Sequence, residues 1–177
     1  MENNASIVRN YLTSKGWTLN AISGLLGNMQ SESTINPGIW QNLNENNLSG
    51  GFGLVQWTPA TNFTGWADSL GLAWTDGDAQ LRWIDEQTAS FGQWIPTTNY
   101  PLSFNDFKTS TETPETLASA FLKNFERAGV EVEAQRRSQA KEWYSFLSSG
   151  TTPSPYTGKK RKKFNFILFN KQRRTIV

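Results

Sequence analysis

The sequence contains no cysteine and no histidine. Without cysteine there is neither a disulfide framework nor a thiolate metal site. Without histidine the commonest metal ligand is missing, and so is the usual base of a serine or cysteine nucleophile. Catalytic triads and zinc hydrolases therefore lose most of their support. Acid–base chemistry is left to carboxylates, lysine or tyrosine. No stretch approaches the roughly 20 apolar residues that would span a bilayer. The opening residues, MENNASIVRN, lack the apolar core of a secretory leader, so none is expected.

What is present suits a folded protein. The 177 residues are 37% hydrophobic and 18% charged, enough for one domain with a core and a short appendage. Eight Trp and eleven Phe are many for this length. They fit a packed core and a sugar-stacking groove equally well, and composition alone does not separate the two. The charge is unevenly placed. All 15 acidic residues lie at or before Glu142, with nine Lys or Arg, for a net −6. Everything after Gly150 carries eight basic residues and no acid.

The expected organisation is a domain over 1–149, a Pro/Ser/Thr linker over 150–158 and a basic tail over 159–177, with no internal repeat. In the tail, KKRKK and Lys171, Arg173 and Arg174 bracket the aromatic run Phe164 to Phe169. Such a segment reads as an electrostatic anchor for anionic wall polymer, lipid or nucleic acid. It reads equally as a disordered end left by a longer chain.

Within the domain, helical periodicity dominates. A first helix spans Ala5 to Lys15, ended by Gly16. Thr18 caps a second, with Ile22, Leu25, Leu26 and Met29 on one face. Thr58-Pro59 is a start signal ahead of Phe63, Trp66, Ala67 and Leu70, with Gly71 as the stop. Asp78 caps a helix running through Leu81 and Ile84 to about Phe91, and Thr113-Pro114 opens another through Leu117, Phe121, Leu122 and Phe125. A last helix covers Glu133 to Leu147 with Ala140, Tyr144 and Leu147 inward. The exception is Gln41 to Trp57, where the Asn- and Gly-rich run ending in GGFGLVQW reads as a small β-hairpin or irregular β segment. The fold class expected is α+β, predominantly helical, although periodicity alone does not distinguish it from other small bundles.

Glu32 is the residue that stands out. It follows Leu25 by seven and Met29 by three, so it projects from the apolar face near the helix C-terminus. Apolar neighbours and the negative end of the helix dipole both press a carboxyl group there toward its protonated form, as a general acid requires. The plainer reading is a helix already frayed by Ser31, with Glu32 facing water. Asn36-Pro37-Gly38 reverses the chain next, and Gly50, Gly51 and Gly53 permit close backbone approach. Phe52, Gln56 and Trp57 can line a groove or, in the case of the aromatics, plug the core.

The order E-S-x-x-N-P-G followed about twenty residues later by GFGLVQW resembles goose-type lysozymes and soluble lytic transglycosylases. GLLGNMQSESTINPGIWQNL, GFGLVQWTPAT and FLKNFERA together resemble more closely the phage tail lysozyme family, as in tail-tip cell-wall hydrolases of small podoviruses of Gram-positive hosts. The likeness spans about Thr13 to Leu147. It implies a lysozyme-like fold with a hairpin beside the active-site cleft, Glu32 as catalytic acid, and Gln56 in a supporting role. Trp40, Gln41, Phe52, Gln56 and Trp57 would bind substrate.

The implied reaction is muramidase cleavage of the peptidoglycan glycan backbone, by a protein of the virion tail or one released to the host wall. Other tail proteins are its further expected partners, and no cofactor or metal is implied. Glycosidases usually need a second carboxylate. Glu45, in the polar loop, is one candidate; Glu126 is the other, although Glu126 and Arg127 read equally as a buried ion pair supporting the cleft. Three alternatives remain: a lytic transglycosylase, a non-catalytic wall-binding tail protein, and a nucleic-acid binder, the last disfavoured by the acidic domain.

Overall fold

Thr18 behaves as its place before the apolar repeat demands. Its hydroxyl oxygen accepts a hydrogen bond from the Ala21 N–H at 3.1 Å and starts helix α2, Leu19–Ser33. Ile22, Leu25, Leu26 and Met29 are all fully buried. In this computed structural model, which describes residues 1–127 and 132–149, α2 is the central strut of the domain. The linker and the basic tail, with the anchoring role read for the tail, lie outside the described residues.

Six further helices among the described residues surround it: α1 (Glu2–Ser14), α3 (Thr61–Ser69), α4 (Gly77–Gln87), α5 (Phe104–Thr109), α6 (Pro114–Phe121) and α7 (Glu133–Ser148). α6 runs on into a wide π-helical turn over Leu122–Glu126, closed by the Arg127 N–H on the Leu122 carbonyl at 2.7 Å. None of these helices is long and apolar enough to cross a membrane.

α2 packs mainly against α6 and α7. Two glycines make the approach possible. A Cβ at Gly24 would lie 2.9 Å from the Ala118 backbone nitrogen, and one at Gly27 would lie 2.4 Å from the Arg136 carbonyl oxygen. Helix backbones this close leave no room for any side chain.

The aromatic excess is spent chiefly on the core. Trp17, Trp57, Trp83, Trp94 and Trp143 are buried. Trp94 contacts Phe104, Phe107 and Phe121 with ring centroids 4.8–6.0 Å apart. Each fully buried ring of this kind contributes roughly 1.5–3 kcal/mol.

Several helix starts differ from the sequence reading. Asp76, not Asp78, caps α4, because its carboxylate accepts from the N–H groups of Asp78 and Ala79. α3 begins at Thr61, uncapped; the Thr58–Pro59 peptide is cis, and the Thr58 hydroxyl donates to the Gln56 carbonyl instead of to a helix end. α5 has no counterpart in the sequence reading. The expected β-hairpin is not formed: among the described residues only isolated bridges join Trp40 to Phe52 and Phe52 to Trp57. Thr113-Pro114, by contrast, opens α6 as read, with the Thr116 N–H bonded to the Thr113 hydroxyl.

We expect Gly27→Ala to destabilise the protein by about 2 kcal/mol or more, because the methyl group meets backbone on α7. Gly65→Ala, on the exposed face of α3 with nothing within 4 Å, should be neutral or stabilise by up to about 1 kcal/mol. Urea denaturation of the two variants checks the contrast.

Candidate active site

The end of α2 is fixed by the residue beside Glu32. The buried Ser33 hydroxyl lies 2.9 Å from the Met29 carbonyl and 2.8 Å from the Leu54 carbonyl, so its single proton is shared between the helix and the GFGLVQW segment. That segment is held a second time by Gln80 of α4, which is fully buried. Its Nε2 donates to the carbonyls of Pro37 and Trp74 at 2.7 Å each, and its Oε1 accepts from the Leu54 N–H at 2.8 Å. Gly53, at φ +80°, is required twice over: a Cβ there would lie 2.7 Å from Gln80 Oε1. The turn after α2 forms as read, with Asn36 Oδ1 accepting from the Gly38 N–H at 2.9 Å.

These anchors leave a cleft of about 590 Å³, within the size range of ligand sites. Glu32, half-buried, lies on it, and so do Trp40, Gln41, Gln56 and Trp57. Across from them stand Gln93, Phe125, Glu126 and Arg127. The structure thus gathers most of the expected site residues in one place.

Their surroundings qualify the expected roles. Gln56 sits at φ +47° and donates both amide protons to backbone, to the Ile39 carbonyl at 3.2 Å and the Gly53 carbonyl at 3.1 Å. Gln41 Oε1 accepts from the Gly51 N–H at 2.9 Å. Trp57 is only 3% exposed, with its ring centroid 4.8 Å from that of Phe63 and 5.3 Å from that of Trp83. Phe52 has no accessible surface and is not part of the cleft wall; it supports Trp40 from beneath at 4.4 Å between ring centroids. Glu45 is exposed in the preceding loop, away from the cleft wall.

Two charge arrangements were not anticipated. Glu32 is not in the apolar, unpaired setting that its helix face suggested: Arg136 Nη2 of α7 donates to its Oε1. Arg136 is buried and also donates through Nη1 to Asn28 Oδ1 at 3.1 Å, while Asn28 Nδ2 reaches the carbonyls of Gly24 and Ala118. The sequence held a signal for Arg136, since it lies four residues before Ala140 on the inward face of α7.

The desolvated carboxyl is instead Glu126. Its Oε1 is withdrawn from solvent with no hydrogen-bond partner among the described residues. Burial, and then the negative charge of Glu32, push this carboxyl well above the ordinary glutamate value, against the weaker pull of Arg136 and Arg127. The Glu126–Arg127 ion pair read from the sequence is not made. Arg127, at φ +57°, turns outward and donates to the Gln93 carbonyl at 2.8 Å.

A family model described as phage tail lysozyme matches residues 3–147, which takes in both the cleft and the helices that frame it. The chain belongs to the phage tail lysozyme family. Membership implies a peptidoglycan-degrading, lysozyme-like role. Among curated proteins, Morphogenesis protein 1 of Bacillus phage B103 is 49% identical over 145 residues, covering 82% of this chain and 39% of that protein. The chain therefore matches well under half the length of this relative.

The raised carboxyl has a consequence for folding. Between about pH 4.5 and its elevated native value, the folded protein keeps a proton on Glu126 that the unfolded chain has released. Stability from this group is full below pH 4.5 and is lost as pH rises toward the native value. Glu126→Gln removes that loss, so urea denaturation should show the variant gaining on the wild type as pH rises from 4 to 8. A constant gap across that range would contradict the assignment.

Proposed function

We propose that the domain cleaves the MurNAc–GlcNAc backbone of peptidoglycan by general acid catalysis, with Glu32 delivering the proton to the leaving oxygen. The observation that supports this best is a pair of carboxyls, Glu32 and Glu126, on one cleft of suitable size in a phage tail lysozyme domain. Two interacting carboxyls in unlike settings divide naturally into a proton carrier and a charged partner. The lysozyme-like fold implied by the family agrees with the mostly helical architecture. Trp40 and Gln41 would contact the sugar rings from one wall, Gln56 would offer its amide oxygen there, and Trp57 and Phe52 would shape that wall from within.

A second assignment of the proton is favoured by one specific feature: Glu32 is engaged by Arg136, whereas the buried Glu126 Oε1 has no hydrogen-bond partner among the described residues and its carboxyl is pushed well above the ordinary value. On that reading Glu126 is the acid and Glu32 the base or charge stabiliser. With water as acceptor the reaction is hydrolysis; with the sugar 6-hydroxyl it is transglycosylation. The family's description as phage tail lysozyme, together with a phage relative named a morphogenesis protein, supports placing the chain on the virion tail, in contact with other tail proteins as well as the wall.

The test compares wild type, Glu32→Gln and Glu126→Gln on purified Gram-positive peptidoglycan, with soluble fragments identified by mass spectrometry. We expect reducing muramic ends from the wild type and a loss of about 10²–10⁴-fold for Glu32→Gln, the usual contribution of a general acid. The same loss in Glu126→Gln alone would transfer the acid role. Anhydro-muramic ends would make the enzyme a transglycosylase, equal activity in all three proteins would place the acid elsewhere, and no activity in any of them would leave a wall-binding role.

A further inference from the structure

We propose that a second depression beside the cleft, walled by Thr97, Asn99, Lys123 and Arg127, receives the carboxylate-bearing peptide stem of peptidoglycan. This rests on the reading above that the glycan backbone occupies the cleft. The depression has a volume of about 270 Å³, less than half that of the cleft, and shares Arg127 with it as a common wall.

Charge is what sets the two apart. The cleft carries Glu32 and Glu126 and a single cation, Arg127. The second depression carries two cations, Lys123 and Arg127, and no acid in its wall among the described residues, with Glu133 paired to Lys123 beside it. An N-acetylated glycan backbone is uncharged and gives cations nothing to bind. The peptide stems that branch from it carry carboxylates, and in a domain of net −6 a local cationic site is where they would be drawn.

The donors keep capacity for a ligand. Arg127 spends one N–H on the Gln93 carbonyl, which among the described residues leaves the rest of its planar fork for a carboxylate. Lys123 forms an ion pair with Glu133 at 3.6 Å, which offsets part of its charge but is too long to engage its ammonium protons in a hydrogen bond. Asn99 is exposed, and its amide supplies further donors.

The walls are also fixed to each other. Buried Asn124 accepts from the Thr97 N–H and hydroxyl at 3.0 and 2.9 Å, donates to the Tyr100 carbonyl at 2.9 Å, and its own carbonyl accepts from the Ile95 N–H at 2.9 Å. The 95–100 segment is thereby pinned to the π-helical turn that carries Lys123. The site needs little ordering on binding, which favours affinity.

The test is calorimetric and independent of turnover. A soluble disaccharide–peptide muropeptide is compared with the uncharged, stem-free disaccharide di-N-acetylchitobiose. The two are titrated into wild type, Lys123→Gln and Lys123→Arg. The wild type should bind the stem-bearing ligand more tightly, and Lys123→Gln should weaken that ligand about tenfold, the loss of one charge-assisted contact. Lys123→Arg should restore it, and the stem-free ligand should be indifferent to both changes. Equal effects on the two ligands, or none, would overturn the proposal. Should the stem dependence persist in a protein that releases no glycan fragments, the subsite stands while the glycosidase reading falls.

Discussion

A buried guanidinium holds this domain together and sets its chemistry. Arg136 is 5% exposed, and the effective cost of withdrawing such a charge from water is several kcal/mol. The cost is met by the Glu32 carboxylate and the oxygens of Asn28, both on α2. Gly27 lets α7 come near enough for the reach. The candidate acid is therefore also the countercharge of the helix packing. Truncating Glu32 would strand a buried cation, whereas glutamine keeps an oxygen for Arg136 but removes both the ionisable proton and the countercharge. Folding of the glutamine variant therefore has to be measured beside its activity.

The Gly-rich segment shows the same economy in hydrogen bonds. Phe52 and Trp57 exchange their backbone bonds at 3.0 and 3.2 Å, and Gly53 and Gln56 take positive φ between them, so the ladder stops after one rung. Gly51 and Gly53 pair instead with the backbone of residues 39–41, at 2.8 Å from the Gln41 N–H and 2.9 Å from the Ile39 carbonyl, and side chains of Gln41, Ser33 and Gln80 meet further groups. A hairpin was a reasonable reading of GGFGLVQW, because local sequence carries the turn. It does not carry the identity of a buried glutamine 26 residues away that bonds to Leu54.

That distinction separates what was legible from what was not. Helix faces and the Thr18 and Thr113 caps follow local sequence, so α1, α2, α6 and α7 could be read directly, and the ordered blocks pointed to the family. Glu32, Trp40, Gln41, Gln56 and Trp57 do meet at one cleft. Phe52 misled because an aromatic beside glycines looks the same whether it faces a ligand or supports the residue that does. Arg136 was overlooked although it breaks the apolar face of α7 just as Glu32 breaks that of α2. Two opposite charges on the inward faces of two helices amount to a long-range pairing signal, visible only when both are considered together.

The unlike settings of the two carboxyls follow from backbone geometry. In a regular α-helix the chain after Phe121 would close each turn on the fourth residue back. The π-helical turn closes on the fifth instead, through Arg127 and Leu122, and the extra residue changes which side chains of Leu122–Glu126 face inward. Phe125 and Glu126 are brought to the cleft, and the left-handed Arg127 carries its guanidinium outward, away from the glutamate beside it. Had the helix continued regularly, adjacent Glu126 and Arg127 would lie about 100° apart on an exposed surface, open to water and to ordinary partners. The widened turn costs regular hydrogen bonding but leaves a carboxyl without a cation of its own beside another that has one. The burial that pushes the Glu126 carboxyl upward thus goes with one extra residue in a turn.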